Sequence, residues 1–303
     1  MPIALGGPAL AGLGVLIFSW TIPASVLALD GLDPYLVGVG RAAVAAILAA
    51  LALAAVRARR PRRGQWGRLA VISGGVVFGF PVLTTLALDL GASGAHSAVV
   101  VGLLPATTAV FAVLRAGERP SAAFWAASAA GAVVVTGFTL IRSGGHVTGA
   151  DLLLFGALLA AAAGYTEGAR MTREMPGWRV ISWATVAGAP ISVPVAAWLL
   201  ATTGPEWTGR SVFGIGYVSA LSAYLGFFAW YEGLARTGIA RGGQIQLAQP
   251  LLTIVWSGIA LGELIDGTTA LAAVLVLICV LVTQRARVQR VQDVPGRVEA
   301  RAV

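Results

Sequence analysis

The chain has 303 residues, 57% of them hydrophobic and 11% charged, with a mean hydropathy of +0.84. Soluble domains carry about 25% charged and 45–50% apolar residues, so a water-soluble globular protein is excluded. The 21 basic residues are all arginine and outweigh 13 Asp and Glu for a net charge of +8. On a soluble protein that excess would point to nucleic acid; in a membrane protein, arginine reports orientation by its position. The single cysteine, Cys279, excludes an internal disulfide, and with only two histidines the composition argues against a structural zinc site. No basic segment precedes the first apolar run, so a cleaved signal peptide is not expected.

A membrane helix needs about 20 mostly apolar residues. Ten runs qualify as candidates: 8–29, 33–56, 69–88, 93–114, 122–141, 150–169, 180–201, 211–233, 242–261 and 268–284. They are continuous Ala/Val/Leu/Gly rather than alternating apolar and polar, which favours helices over a β-barrel. With the N-terminus inside, the inner segments collect 18 arginines: those of 57–68, Arg115 and Arg119, Arg170–Arg179, Arg236 and Arg241, and the tail 285–301. Only Arg142 and Arg210 fall outside, and Arg41 lies within a span. The asymmetry predicts ten spans with both termini cytoplasmic.

Shifting the chain by 145 residues against itself brings Ala95 onto Ala240, Pro105 onto Pro250, Thr108 onto Thr253, Gly117 onto Gly262 and Glu118 onto Glu263 without a gap. Each half then holds five spans. Five is odd, so the second half enters the membrane inverted. The expected organisation is a first five-helix repeat over 1–145, a second, inverted one over 146–284, and a basic cytoplasmic tail over 285–303. Inverted repeats characterise secondary transporters, whose substrate site lies near the midplane between the halves.

The stretches Leu104-Pro105-Ala106…Gly117-Glu118-Arg119 and Gln249-Pro250-Leu251…Leu261-Gly262-Glu263, with Ala223-Tyr224…Gly233-Leu234…Gly238-Ile239-Ala240-Arg241, resemble the drug/metabolite transporter superfamily, specifically proteins with two EamA-type repeats. The resemblance spans about residues 8–284. It implies a carrier of small metabolites, amino acids or drugs, a central cavity lined by helices 1–4 and 6–9, peripheral helices 5 and 10, and no catalytic signature.

Ionisable and polar residues inside a membrane are expensive and count first as functional candidates. Arg41, eight residues into its span and so about 12 Å along it, would attract a substrate carboxylate or phosphate, unless it snorkels towards Asp30 and Asp33. Gln246 and Gln249 share a face beside Pro250, which frees the carbonyl of Gln246. Substrate contacts or packing hydrogen bonds would both satisfy them. Tyr217, Tyr224 and Tyr231 recur every seven residues as one stripe. Trp20 and Tyr165 are partners at the 145-residue shift, and such aromatics suit apolar or cationic substrates. Glu232 is the candidate coupling carboxylate, against an ion pair with Arg236 as its structural alternative. Glu167, with Arg170 three residues on, reads mainly as structural. Pro105, Glu118, Pro250 and Glu263 read as structural residues of the repeat; the two glutamates would cap a helix or pair across the symmetry.

The resulting expectation is an all-α integral membrane protein that exports a small organic solute by alternating access. Its partners are a small-molecule substrate and membrane lipids, with a homodimer open, no nucleic acid and no cofactor. An intramembrane enzyme acting on lipid or isoprenoid substrates and a non-transporting scaffold are the alternatives. The absence of Lys and Asn suggests a GC-rich bacterial genome and hence a cytoplasmic membrane.

Overall fold

The computed structural model describes residues 6–116, 119–142, 146–237, 245, 246, 248–285, 288 and 289. Seven helical segments are long and apolar enough to cross a membrane: α1 (Gly7–Ala28), α2 (Pro34–Ala55), α3 (Arg63–Asp89), α4 (Gly94–Arg115), α6 (Gly149–Met171), α7 (Gly177–Thr202) and α8 (Gly209–Arg236). Between and after them lie α5 (Ala122–Arg142), α9 (Ala248–Leu261) and α10 (Gly267–Arg285), whose apolar stretches are shorter. Several elements overrun the expected runs. The third begins six residues early, because a 3-10 turn over Arg63–Gln65 leads into it. The only strands among the described residues are β1 (Arg119–Pro120) and β2 (Val288–Gln289), an antiparallel pair that ties the α4–α5 connection to the chain beyond α10. Most of the basic tail lies outside the described residues, as does Glu118.

Local sequence explains the helix ends. Asp33 accepts the N–H groups of Tyr35 and Leu36, and Pro34 occupies the first turn where its missing donor costs nothing. Thr148 and Asp151 form a reciprocal capping box at α6. Within α1, Pro23 has no N–H to offer the carbonyl of Ser19. Thr253 of α9 takes that carbonyl at 2.9 Å, and Trp256 donates to the Ser19 hydroxyl at 3.0 Å. The helix breaks at Trp20, and the break becomes a docking point for α9.

α6 packs on α3 and α4. α1 packs on α8 and α9, α2 on α7, and α5 on α10. Gly75 and Gly79 let α3 approach α6 at Ala160 and Gly164 closely enough that a Cβ on Gly75 would meet backbone. Gly258 and Gly262 make no such crossing. Gly262 instead takes φ +69° and ends α9, a conformation that favours glycine.

That turn aims Glu263 at the start of α4. Its carboxylate accepts from the N–H of Gly94 at 2.7 Å and of Ala95 at 2.8 Å. Two orphan donors and the positive end of the helix dipole are satisfied together. Glu263→Gln leaves one acceptor for two donors and removes the charge. It is expected to cost about 1–2 kcal/mol, read as a lowered thermal midpoint in detergent micelles, with Glu206→Gln unchanged as the exposed control.

Two helices contain π segments, Ser73–Gly79 in α3 and Tyr217–Leu225 in α8. Their midpoints, Val76 and Leu221, lie 145 residues apart. Such segments occur frequently at functional sites.

Candidate substrate cavity

The helices leave a small cavity lined by α1 (Phe18, Thr21), α2 (Arg41), α3 (Val76, Phe80), α4 (Leu104), α6 (Ala161, Tyr165), α8 (Ser222, Phe227) and α9 (Gln249). A second space shares Leu104 and Gln249 and reaches Gln246, Pro250 and Thr253. Both π segments reach the first cavity, through Val76 and Ser222.

Arg41 is 3% exposed. Among the described residues it makes one hydrogen bond, from Nη2 to the Ser222 hydroxyl at 2.9 Å; that hydroxyl lies 2.6 Å from the Thr21 hydroxyl. Its Nε has no partner, and no carboxylate of the described residues lies within 4 Å of the guanidinium. It does not snorkel to the aspartates near the helix end. Asp33 is engaged in its cap, and Asp30 pairs with Arg210 at 3.1 Å. Gln249 Oε1 and Gln246 Nε2 are likewise buried without partners. Gln249 donates its backbone N–H to the carbonyl of Gln246, the carbonyl Pro250 cannot serve. In α4 the backbone is similarly interrupted at Gly102 and Leu103, just before Pro105.

The other candidates lie elsewhere. Trp20 is half-buried beside the cavity in a cluster with Trp256, Phe213 and Tyr217, its ring centroid 5.4 Å from that of Trp256. Tyr224 is buried against Phe228, its hydroxyl 2.8 Å from that of Ser182 on α7. The tyrosine stripe is therefore split. Tyr217 donates to the carbonyl of Ile17, and Tyr231 packs against Gly168 and Gly177. The π segment explains this, because its i→i+5 bonding shifts the helical phase between Tyr217 and Tyr224. Glu232 sits at the arginine-rich end of α8, 40% exposed, and accepts from Arg236 at 2.7 Å, away from the cavity.

Two polar arrangements bracket the cavity. At the arginine-rich end, Glu167 of α6 is 3% exposed and accepts from Arg68 (3.2 Å), Arg115 (2.9 Å) and Arg170 (2.8 Å). Arg68 also pairs with Glu174, whose carboxyl is held below the usual range by hydrogen bonds from Gln65 and Arg68. At the opposite end, His96 of α4 stacks on Phe138 and donates to Asp151 of α6 at 2.8 Å. Beside it an open vestibule is lined by Asp30, Asp89, Arg210 and Glu263. Sequence reading found the Glu167–Arg170 pair, but not Arg68, Arg115 or the His96–Asp151 pair. It also missed Thr21 and Ser222, for which a hydroxyl in an apolar span is the only signal.

A helical membrane bundle with a buried, charged and hydroxyl-lined cavity among seven helices is the architecture of a solute carrier, and the comparisons name the kind. The model of the EamA-like transporter family matches residues 148–284. The "Uncharacterized transporter YdeK" of Bacillus subtilis (strain 168) is 40% identical over 276 residues, 90% of this chain and 95% of that protein. The chain belongs to the EamA-like transporter family, within the drug/metabolite transporter superfamily. A solved structure titled "Crystal structure of protein" shares the fold, with a TM-score of 0.63 and 20% identity over 91% of this chain and 95% of that one.

Proposed function

We propose that the protein is a secondary transporter that exports a small organic solute across the cytoplasmic membrane by alternating access. In this reading ten helices cross the membrane, both termini are cytoplasmic, and the halves 1–145 and 146–284 are inverted repeats. The cavity carries the proposal: it is polar, buried and built from both halves, α1–α4 on one side and α6, α8 and α9 on the other. Two further observations support the inverted organisation. The π segments recur at the 145-residue offset. Exchanging the halves also maps the α1–α8 contact onto α6–α3, and α1–α9 onto α6–α4.

Alternating access needs a closure at each end of the cavity. The Glu167 cluster supplies one at the cytoplasmic side, and the Glu263 cap with the His96–Asp151 pair supplies the other. Intramembrane hydrolysis would call for an acid–base pair at the cavity. The lining offers instead one guanidinium, two hydroxyls, a phenol and an amide, groups suited to holding a solute.

The test is flux in proteoliposomes loaded with labelled metabolites, with and without a pH gradient. Saturable flux with counterflow is expected. Glu232→Gln, carrying the exposed ion pair, is expected to retain more than half of it. Folded protein that moves no compound would sink the carrier reading.

A further inference from the structure

We propose that Arg41 is the anchor for the carboxylate of a small organic monoanion, with the apolar body of the solute against Phe18, Phe80, Phe227 and Leu104. This deepens the carrier reading and rests on it for the site's use, though not for its binding chemistry. Burying a cation without a counter-ion is expensive, and a chain keeps such a cost where function supplies the partner. Arg41 meets that description: it is 3% exposed, unpaired with any carboxylate of the described residues, and holds one hydrogen bond. A guanidinium offers five donors in a planar fork that matches two carboxylate oxygens. The surrounding groups add donors rather than competing charge. Thr21 and Ser222 share hydroxyls beside the fork, and the Gln249 amide is buried with its oxygen unpartnered. The amide's two ends are interchangeable by a flip, so it can also present N–H.

The same inventory sets the selectivity. Among the described residues no lining side chain is acidic, so a solute ammonium finds no counter-charge there, and the cavity disfavours amines and zwitterions relative to plain carboxylates. One cation matches a monoanion better than a phosphate dianion. One cation set among three phenyl rings and a leucine suits a small aromatic carboxylate such as benzoate.

The experiment measures equilibrium binding of benzoate, benzamide, benzylamine, phenylalanine and phenyl phosphate to purified protein in detergent, together with thermal midpoints without ligand. Benzoate is expected to bind at least ten-fold more tightly than the other four. Arg41→Gln is expected to weaken benzoate at least ten-fold and leave benzamide within two-fold. Arg41→Lys, which keeps the charge and loses the fork, is expected to fall between. Arg41→Met should raise the ligand-free midpoint, because it deletes an unpaired buried charge; a structural arginine would lower it. Wild-type protein that binds benzoate no better than benzamide, or binds phenyl phosphate or benzylamine more tightly, overturns the proposal, as does benzoate affinity unchanged in Arg41→Gln. The carrier reading fails separately: benzoate binding without flux of any solute removes transport and keeps the anchor, whereas saturable flux without benzoate binding keeps transport and removes the anchor.

Discussion

Gly75→Leu is expected to abolish the folded protein, while Gly74→Leu, one residue away, leaves it intact. A Cβ at Gly75 would meet the carbonyl of Ala160 and the backbone of Gly164 on α6; at Gly74 no atom lies within 4 Å. Overpacking ordinarily costs about 1–3 kcal/mol because side chains give way. Backbone cannot give way without separating two helices, so about 3 kcal/mol or more is expected here. The α3–α6 crossing also sets the spacing of Val76 and Phe80 against Ala161 and Tyr165 around the cavity. Size-exclusion profiles and thermal midpoints of the two variants provide the check. A monodisperse, wild-type-like Gly75→Leu protein would mean the helices do not approach as described.

Glu167→Gln is expected to destabilise the protein more than removal of any one of its arginines. The carboxylate is a hub with three spokes, from α3, α4 and its own helix. Losing one spoke leaves two charge-assisted bonds: without Arg115 or Arg170 both carboxylate oxygens stay partnered, and without Arg68 the Oε1 atom keeps its two. Losing the hub's charge leaves Arg115 and Arg170 crowded together without it, and Arg68 with Glu174 alone. Breaking a buried ion pair costs about 3–5 kcal/mol, but these arginines are 25%, 53% and 35% exposed and can turn towards water. A loss of about 2–3 kcal/mol is therefore expected for Glu167→Gln, against less than about 1 kcal/mol for Arg115→Gln. Glu174→Gln, on an exposed carboxylate, should fall with the single spokes. Thermal unfolding of the variants, with a double-mutant cycle for Arg68 and Glu167, measures the coupling. Equal losses for hub and spokes would remove the network.

Local signals in the sequence located much of the architecture. Apolar length marked the seven long helices, and Pro250 marked the interrupted stretch before α9. Arg41, Gln246 and Gln249 stood out because polar groups in apolar runs are costly, Tyr165 as an aromatic paired with Trp20 at the 145-residue shift, and all four reach the two cavities. Features made by distant partners stayed hidden. Arg68 and Arg115 lie 99 and 52 residues from Glu167, and each looks from its own loop like an ordinary topology marker. The π segments have no composition of their own, so the tyrosines of α8 looked like a single stripe. Trp20 and Tyr224 drew notice as aromatics, but aromatic packing and aromatic pockets share one sequence signal; here they serve the walls behind the cavity.

The unpaired guanidinium of Arg41 has an electrical consequence. A charge crossing the full membrane potential changes energy by about 2.3 kcal/mol per 100 mV. With its one fixed cation, the empty cavity presents a positive charge to that field, and an arriving monoanion cancels it. If the site's exposure switches from one side to the other, voltage acts on the return of the empty carrier and passes over the loaded step. The turnover of such a protein would then be set by the energised state of the membrane through its idle half-cycle, and in an Arg41→Gln chain the voltage would act on the loaded step instead.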